Sequence, residues 1–149
     1  MYTTAGTADK LAKAKKLGAD VGIDYTKEDF HKAILKETQG QGVDVVFEHI
    51  GPETWPKSLA SLARGGRMVT CGATSGPQAT VDIRFVFVKH LNILGSYMGS
   101  RHELETVLQL LEEGKLHPVV DSVFPLKEAA QAQQRMLERK QFGKLLLVP

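Results

Sequence analysis

Several residues that could bind a ligand stand directly after apolar segments of the sequence. Gly6 follows the first strand-like segment, Lys10 lies one turn into the next helix, and Tyr25 follows a second short strand. Gly51 and Gly72 follow longer apolar segments. Glycine lets a backbone approach a flat ligand closely, and lysine can contact a phosphate. The pattern therefore favours a binding surface over a self-contained set of reactive groups.

The elements around these residues alternate between strand and helix. The sequence predicts strands at Met1–Thr4, Val21–Asp24, Val43–Ile50, Arg67–Cys71, Leu91–Leu94, Val119–Phe124 and Lys144–Val148. It predicts helices at Thr7–Leu17, Lys27–Thr38, from Pro52 through Trp55 to Leu62, at Val81–His90, at Arg101–Glu113, and from Pro125 to near Arg139. This order predicts an α/β fold, with a mostly parallel sheet and helices on both of its faces. Ligands of such sheets bind at the carboxyl ends of the strands, where the candidate residues lie.

Bulk composition narrows the function classes. The chain has 149 residues, long enough for one domain with a core, and 42% of them are hydrophobic. A net charge of +2 does not favour a nucleic-acid partner. No apolar run is long enough for a membrane span, and no signal peptide opens the chain. The single Cys71 excludes an internal disulfide and a cysteine-cluster zinc site. We therefore expect a cytoplasmic protein.

Common catalytic and phosphate-binding motifs are absent. Gly40-Gln41-Gly42 does not extend to G-x-G-x-x-G, and His102-Glu103 does not extend to H-E-x-x-H. No P-loop and no G-x-S-x-G segment occurs. The five histidines have no metal-ligand spacing. We assign no catalytic residue and no metal ligand.

Longer segments are recognisable together. They are VDVVFEHIGPETWPKSLASLARGGRMVTCGATSG, L-G-S-Y-M-G, the block GKLHPVVDSVFPLKEAA, and the terminal FGKLLLVP. Over essentially all of its length, the chain resembles the C-terminal part of zinc-type alcohol dehydrogenases and quinone oxidoreductases. These enzymes belong to the medium-chain dehydrogenase/reductase superfamily.

The resemblance implies a particular division of the chain. Full-length members carry a GroES-like catalytic domain with the zinc ligands, then a Rossmann domain, then a tail that returns to the catalytic domain. Residues 1–114 correspond to a partial dinucleotide-binding domain, and residues 115–149 correspond to the tail. The implied fold is Rossmann-like but truncated at its first strand and glycine-rich turn. Zinc is expected in full-length relatives, without ligands in this chain.

The resemblance also implies a coenzyme, NADP, with NAD as the other possibility. NAD sites place an acidic residue at the end of the second strand, where this chain has Thr4-Ala5-Gly6-Thr7. Gly6, Lys10 and Tyr25 would instead surround a ribose 2′-phosphate. The alternative is that they are a turn glycine, a solvated helix lysine and a surface tyrosine.

The nicotinamide end of the coenzyme would lie at the later loops. There the resemblance implies contacts from Ile50, Gly51, Gly72, Ala73 and Tyr97. Ordinary strand-to-loop turns are the alternative for each of these five residues.

Other conspicuous side chains have structural interpretations. His49 is expected to be a hydrogen-bonded structural histidine, and Cys71 an inert core thiol. Trp55 and the stripe of Leu104, Leu108 and Leu111 are expected in the core.

The full enzyme would transfer hydride between the nicotinamide and an alcohol, carbonyl or quinone. For the isolated chain we expect weak or absent coenzyme binding and no turnover. Without the catalytic domain, Val119–Phe124 and Lys144–Val148 become edge strands, and the missing first strand leaves a gap in the sheet. We therefore expect a homodimer or a swapped assembly that buries these edges. The chain could be a fragment, or a full enzyme whose start is misassigned. Alternatively, it could be a stand-alone binding or oligomerisation module that reuses the dehydrogenase sheet.

Overall fold

The computed structural model describes residues 1–149 and has the predicted α/β architecture. Its strands are β1 (Tyr2–Ala5), β2 (Val21–Asp24), β3 (Val43–Glu48), β4 (Leu62–Thr70), β5 (Asn92–Gly95), β6 (Val120–Pro125) and β7 (Lys144–Val148). Its helices are α1 (Ala8–Lys16), α2 (Phe30–Glu37), α3 (Trp55–Ala60), α4 (Ile83–Val88), α5 (Arg101–Glu112) and α6 (Ala129–Leu137), and a 3₁₀ turn at Leu126–Glu128 precedes α6. No helix is both long and apolar enough to cross a bilayer.

Every strand pairing is parallel, and the strands form three separate sheets. The first compact unit, Met1–Met98, contains the sheet β1–β2 and the sheet β3–β4–β5. The second unit, Gly99–Pro149, contains the sheet β6–β7. Since β1 and β3 share no ladder, each leaves one edge of its sheet unpaired.

Polar contacts between α2 and α3 connect the two sheets of the first unit. Lys57 Nζ lies 2.7 Å from Asp29 Oδ2, and His31 Nδ1 lies 3.1 Å from Ser61 Oγ. Asp29 also caps α2 by accepting hydrogen bonds from the amides of His31 and Lys32. The first unit is therefore joined through its helices as well as through the chain.

Local signals explain where the helices begin and end. The predicted N-cap Thr7 is confirmed, since its Oγ1 accepts a hydrogen bond from the Lys10 amide at 3.3 Å. Gly18, with φ +103, follows the end of α1 as predicted. The start of α2 at Lys27 was wrong, because Asp29 provides the cap. The start of α3 at Pro52 was also wrong, because the proline in its first turn is Pro56.

One apolar cluster of the first unit is built from α3, β4 and the residue before β5. Leu59, Leu62, Met68 and Leu91 form its buried centre, and Val46, Trp55 and Val81 pack around it. The expectation that Trp55 belongs to the core is confirmed. Full burial of a side chain such as Met68 stabilises the fold by about 2 kcal/mol.

Two of the three leucines predicted to lie in the core on α5 are exposed, and the third, Leu111, is half-buried. Ser100 and Glu103 form a capping box that starts the helix, so the helix itself is well specified. Leu104 is nevertheless 58% exposed and Leu108 is 49% exposed. Amphipathic spacing predicts a helix face, but the elements packed around α5 decide whether that face is covered.

Candidate functional site

The loops after β3 and β4 meet at the carboxyl end of their sheet. The Ile50 carbonyl accepts hydrogen bonds from the Ser75 amide at 2.7 Å and from Ser75 Oγ at 2.9 Å. The Thr74 hydroxyl donates to the His49 carbonyl at 3.2 Å. Parallel strands end at the same edge of a sheet, so residues distant in sequence become neighbours here. The structure thus brings Ile50 and Gly51 together with Gly72 and Ala73.

Two glycines permit this close approach. Gly51 has φ +101, and a Cβ there would lie 3.1 Å from the Gly76 carbonyl oxygen and 3.3 Å from Ala73 Cα. A Cβ on Gly72 would lie 2.8 Å from the His49 carbonyl oxygen. Both positions therefore require glycine for contact with the facing loop.

A cleft of about 310 Å³ lies along the two loops. Its lining is mostly small and apolar, and comprises Gly51, Pro52, Trp55, Thr70, Gly72, Ala73, Gly76, Pro77, Ala79 and Val81. Trp55 Nε1 is buried and has no hydrogen-bond partner in the chain. The volume is at the low end for small-molecule sites. The cleft therefore suits one flat ring with a polar substituent.

A second contact brings Gly6 and Tyr25 together at the end of β1 and β2. A Cβ on Gly6 would stand 2.8 Å from the Tyr25 hydroxyl oxygen. The Tyr25 amide donates to the Ala5 carbonyl at 3.3 Å, which extends the pairing beyond the strands. Tyr25 is 48% exposed, and Lys10 lies in the first turn of α1 immediately after this corner.

Asp24 shapes the turn that carries Tyr25. Its Oδ1 accepts hydrogen bonds from the Thr26 amide at 3.0 Å and from the Thr26 hydroxyl at 2.6 Å. Lys27 lies 3.2 Å from its Oδ2. The pKa of the Asp24 carboxyl lies below its usual value, and the hydrogen bond from the Thr26 hydroxyl is the largest cause. The Asp24 carboxylate therefore stabilises the turn that contains Tyr25.

Tyr97 stands apart from both contacts. It follows β5, where the Ser96 amide donates to the Thr70 carbonyl at 2.9 Å. Tyr97 is 92% exposed and does not line the cleft. Tyr97 therefore lies at the same carboxyl edge of the sheet as the cleft, but it does not line the cleft.

Glu48, the last residue of β3, is the residue that sequence reasoning missed. Its side chain is buried, and its oxygens accept hydrogen bonds from the Ile50 and Gly51 amides and from the Thr54 and Ser58 hydroxyls. A signal was present in the sequence, since an acidic residue ends a mostly apolar strand just before Ile50-Gly51. Two hydroxyl residues, Thr54 and Ser58, follow in the sequence, and the turn after β3 and helix α3 bring them back to Glu48.

Cys71 and His49 differ from expectation. Cys71 is exposed, because β4 ends at Thr70 and the thiol belongs to the loop beyond it. His49 is also exposed on its loop, and its ring centroid lies 6.5 Å from that of Phe47. No group of three or more His, Cys, Asp and Glu side chains could hold a metal ion.

Comparisons with known proteins consistently match this chain to dehydrogenases and reductases. Residues 1–113 match the family model described as zinc-binding dehydrogenase. A 2-haloacrylate reductase from Burkholderia sp. is 33% identical over 160 aligned positions, which cover 98% of this chain and 47% of that protein.

Solved structures extend the similarity to the fold. An NAD-dependent alcohol dehydrogenase superposes with a TM-score of 0.88 at 42% identity, covering 99% of this chain and 43% of the other. The 2-octenoyl-CoA carboxylase reductase CinF, solved with NADP and 2-octenoyl-CoA, gives a TM-score of 0.86 at 29% identity, covering 97% and 36%. The chain thus spans less than half the length of these relatives.

Proposed function

Because the chain belongs to the medium-chain dehydrogenase/reductase superfamily and corresponds to its coenzyme-binding part, we propose that it holds NADP(H) for hydride transfer. The reaction partner is an alcohol, a carbonyl compound or a quinone. The observation that carries the proposal is the meeting of the glycine loops after β3 and β4 beside the cleft. We divide the chain into a coenzyme-binding domain, residues 1–114, and a tail, residues 115–149.

The cleft residues fit the nicotinamide end of the coenzyme. Gly51, Gly72 and Ala73 line the cleft and supply backbone and small apolar surface. Ile50 joins the two loops through its carbonyl, and Tyr97 would contact the coenzyme from outside the cleft. The positions of Gly51 and Gly72 have no room for a side chain, so the facing loops stay close enough to flank a flat ring. The coenzyme supplies the hydride, and these residues bind and orient the ring.

The corner at Gly6 and Tyr25 fits the ribose phosphate end. Gly6 and Tyr25 are in contact, and the first turn of α1 brings Lys10 to the same corner. Asp9, the first acidic residue after Gly6, lies within α1 and pairs with Lys13 at 2.8 Å, and Asp24, next to Tyr25, binds Thr26 and Lys27. Since β1 does not end in the acidic residue that NAD sites use for the ribose hydroxyls, this corner supports NADP over NAD.

These residues do not fit a zinc ion, because no cluster of potential ligands exists among them. Nor does the chain offer a side chain for proton transfer within the cleft, whose lining carries no ionisable group. The proposal therefore assigns coenzyme binding to this chain and leaves it without turnover.

A fluorescence titration tests the proposal. We expect the 149-residue chain to bind NADPH weakly, to bind NADH more weakly still, and to show no NADPH oxidation with 1,4-benzoquinone. Equal affinity for both coenzymes would contradict the phosphate assignment. A low-micromolar dissociation constant would contradict weak binding, and measurable oxidation would contradict the absence of turnover.

A second candidate function is a stand-alone binding or oligomerisation module. The observation that favours it is the unpaired edge of β3, where Val45 is 49% exposed and Phe47 is 68% exposed. Exposed apolar strand edges favour association. On either function we propose a homodimer or a swapped assembly that covers this edge. Binding of neither coenzyme at millimolar concentration would favour the module.

A further inference from the structure

Glu48 is a buried carboxylate for which coenzyme binding alone gives no reason. Only 3% of the residue is exposed, and the partners of its oxygens are all uncharged donors. Burial of a carboxylate is costly unless hydrogen bonds replace its hydration. The role of Glu48 therefore follows from the groups to which it is hydrogen-bonded.

The donors fall into two groups. Glu48 Oε1 accepts from the Ile50 amide at 2.7 Å, from the Gly51 amide at 3.2 Å and from the Thr54 hydroxyl at 2.9 Å. Its Oε2 accepts from the Ser58 hydroxyl at 2.5 Å. Burial raises the pKa of Glu48, but these hydrogen bonds outweigh burial and hold the pKa below its usual value. The side chain is therefore an ionised acceptor at neutral pH.

The two amides belong to the loop that forms the cleft. Gly51 has φ +101, so the chain turns sharply immediately after β3. The Ile50 carbonyl then accepts the Ser75 amide and hydroxyl from the facing loop. A continuous series of hydrogen bonds thus runs from Glu48 through Ile50 to Ser75.

We infer that Glu48 is a positioning residue, which holds the Ile50–Gly51 backbone in the conformation that closes against the Gly72–Gly76 loop and shapes the cleft. The inference deepens the proposed function and rests on it for the identity of the ligand. Glu48 itself does not line the cleft, so it acts through the backbone amides that it binds.

Amide hydrogen exchange tests the inference in the full 149-residue chain. In Glu48→Ala we expect the Ile50 and Gly51 amides to exchange at least about tenfold faster, relative to the buried Met68 amide. Glu48→Gln keeps an acceptor oxygen and should restore most of the protection. Asp121→Ala removes another mostly buried carboxylate, in the second unit, and should leave both amides unchanged.

A second measurement concerns the ligand. NADPH at millimolar concentration should shift the amide signals of Gly51 and Ala73 in the wild-type chain and in Glu48→Gln. In Glu48→Ala these shifts should be lost while those of Gly6 and Tyr25 remain. This difference between the two ends of the site would not arise from a loss of stability alone.

The possible failures are distinct. The inference would be overturned if, in Glu48→Ala, the amide exchange rates of Ile50 and Gly51 rise no more than that of Met68. It would also be overturned if NADPH shifts the amide signals of Gly51 and Ala73 equally in Glu48→Ala and in the wild type. An absence of NADPH shifts in the wild type would refute the proposed function, while the exchange data would still decide the role of Glu48. If Glu48→Ala does not fold, Glu48→Leu, which fills the same space without an acceptor oxygen, provides the same comparison.

Discussion

The Tyr25 hydroxyl oxygen lies over Gly6, 2.8 Å from the point where a Cβ on that glycine would stand. The two residues are 19 positions apart in sequence and are brought together by the parallel pairing of Ala5 with Asp24. Their contact defines the corner that we assign to the ribose phosphate.

The first prediction concerns this corner. Gly6→Ala should displace the Tyr25 ring and weaken NADPH binding about tenfold, a loss of about 1.4 kcal/mol. Stability should change by less than about 1 kcal/mol, because the group that must move is the end of a half-exposed side chain. Coenzyme titration and urea unfolding measure the two effects. Gly95→Ala is the control, since a Cβ there has nothing within 4 Å. Equal losses in both variants would contradict the assignment.

The second prediction separates backbone strain from contact at Gly51. Gly51 and Gly40 both have positive φ, so alanine at either position should cost about 1–2 kcal/mol. Only at Gly51 would the new Cβ crowd another loop, whereas at Gly40 it meets nothing within 4 Å. Gly51→Ala should therefore destabilise the chain by about 1–3 kcal/mol more than Gly40→Ala in urea unfolding. Similar free energies for the two variants would show that the loops are not in tight contact.

The third prediction concerns pH. Because the pKa of Glu48 is lower in the folded chain than in the unfolded chain, its contribution is complete above the unfolded pKa of about 4.3. The contribution is lost as the pH falls through the folded pKa. Glu48→Gln cannot titrate there, so the stability difference between wild type and variant should shrink from pH 6 to about pH 3. Urea unfolding across that range measures it, and a constant difference would argue against an ionised Glu48.

The fourth prediction concerns the link between α2 and α3. A double-mutant cycle of Asp29→Ala and Lys57→Met should give a coupling of about 0.5–1 kcal/mol that decreases with added salt. Asp29→Ala should cost about 1 kcal/mol more than Lys57→Met, because Asp29 also caps α2. Equal single-variant losses would indicate that the cap contributes nothing.

The fifth prediction concerns assembly. Light scattering at high concentration should show a dimer or larger species, because the β3 edge is unpaired. Phe47→Lys should raise the dissociation constant about tenfold. Phe87→Lys is a matched control on α4, since Phe47 is 68% exposed and Phe87 is 64% exposed. A monomeric wild-type chain at high concentration would contradict the proposed assembly.

The sequence predicted the elements well because their signals are local. Hydrophobic runs marked β3 and β4, and Thr7 and Gly18 marked the ends of α1. Local pattern placed Gly51 and Gly72 at the ends of strands, and the family resemblance implied that they contact the coenzyme. The structure adds the reason that these two positions need glycine, which is the proximity of the facing loops.

The remaining differences arise where tertiary surroundings decide. Spacing indicated that Leu104 and Leu108 share a face of α5, but it could not indicate that the face is exposed. Cys71 was assigned to a strand that ends one residue earlier, which reversed its expected burial. The sequence marked Glu48 only as an acidic residue at the end of a mostly apolar strand, because the donors that surround it are assembled only in the folded chain.

The separation of β1–β2 from β3–β4–β5 also bears on how cooperatively the first unit opens. Each sheet is built from a contiguous stretch of chain, and no ladder hydrogen bond ties one sheet to the other. The free energy that couples their opening comes from α2 and α3, including the Asp29–Lys57 ion pair and the His31–Ser61 contact. The β1–β2 segment has fewer ladder bonds and lies outside the Leu59–Leu62–Met68–Leu91 cluster, so we expect its amides to exchange with solvent first, through partial unfolding.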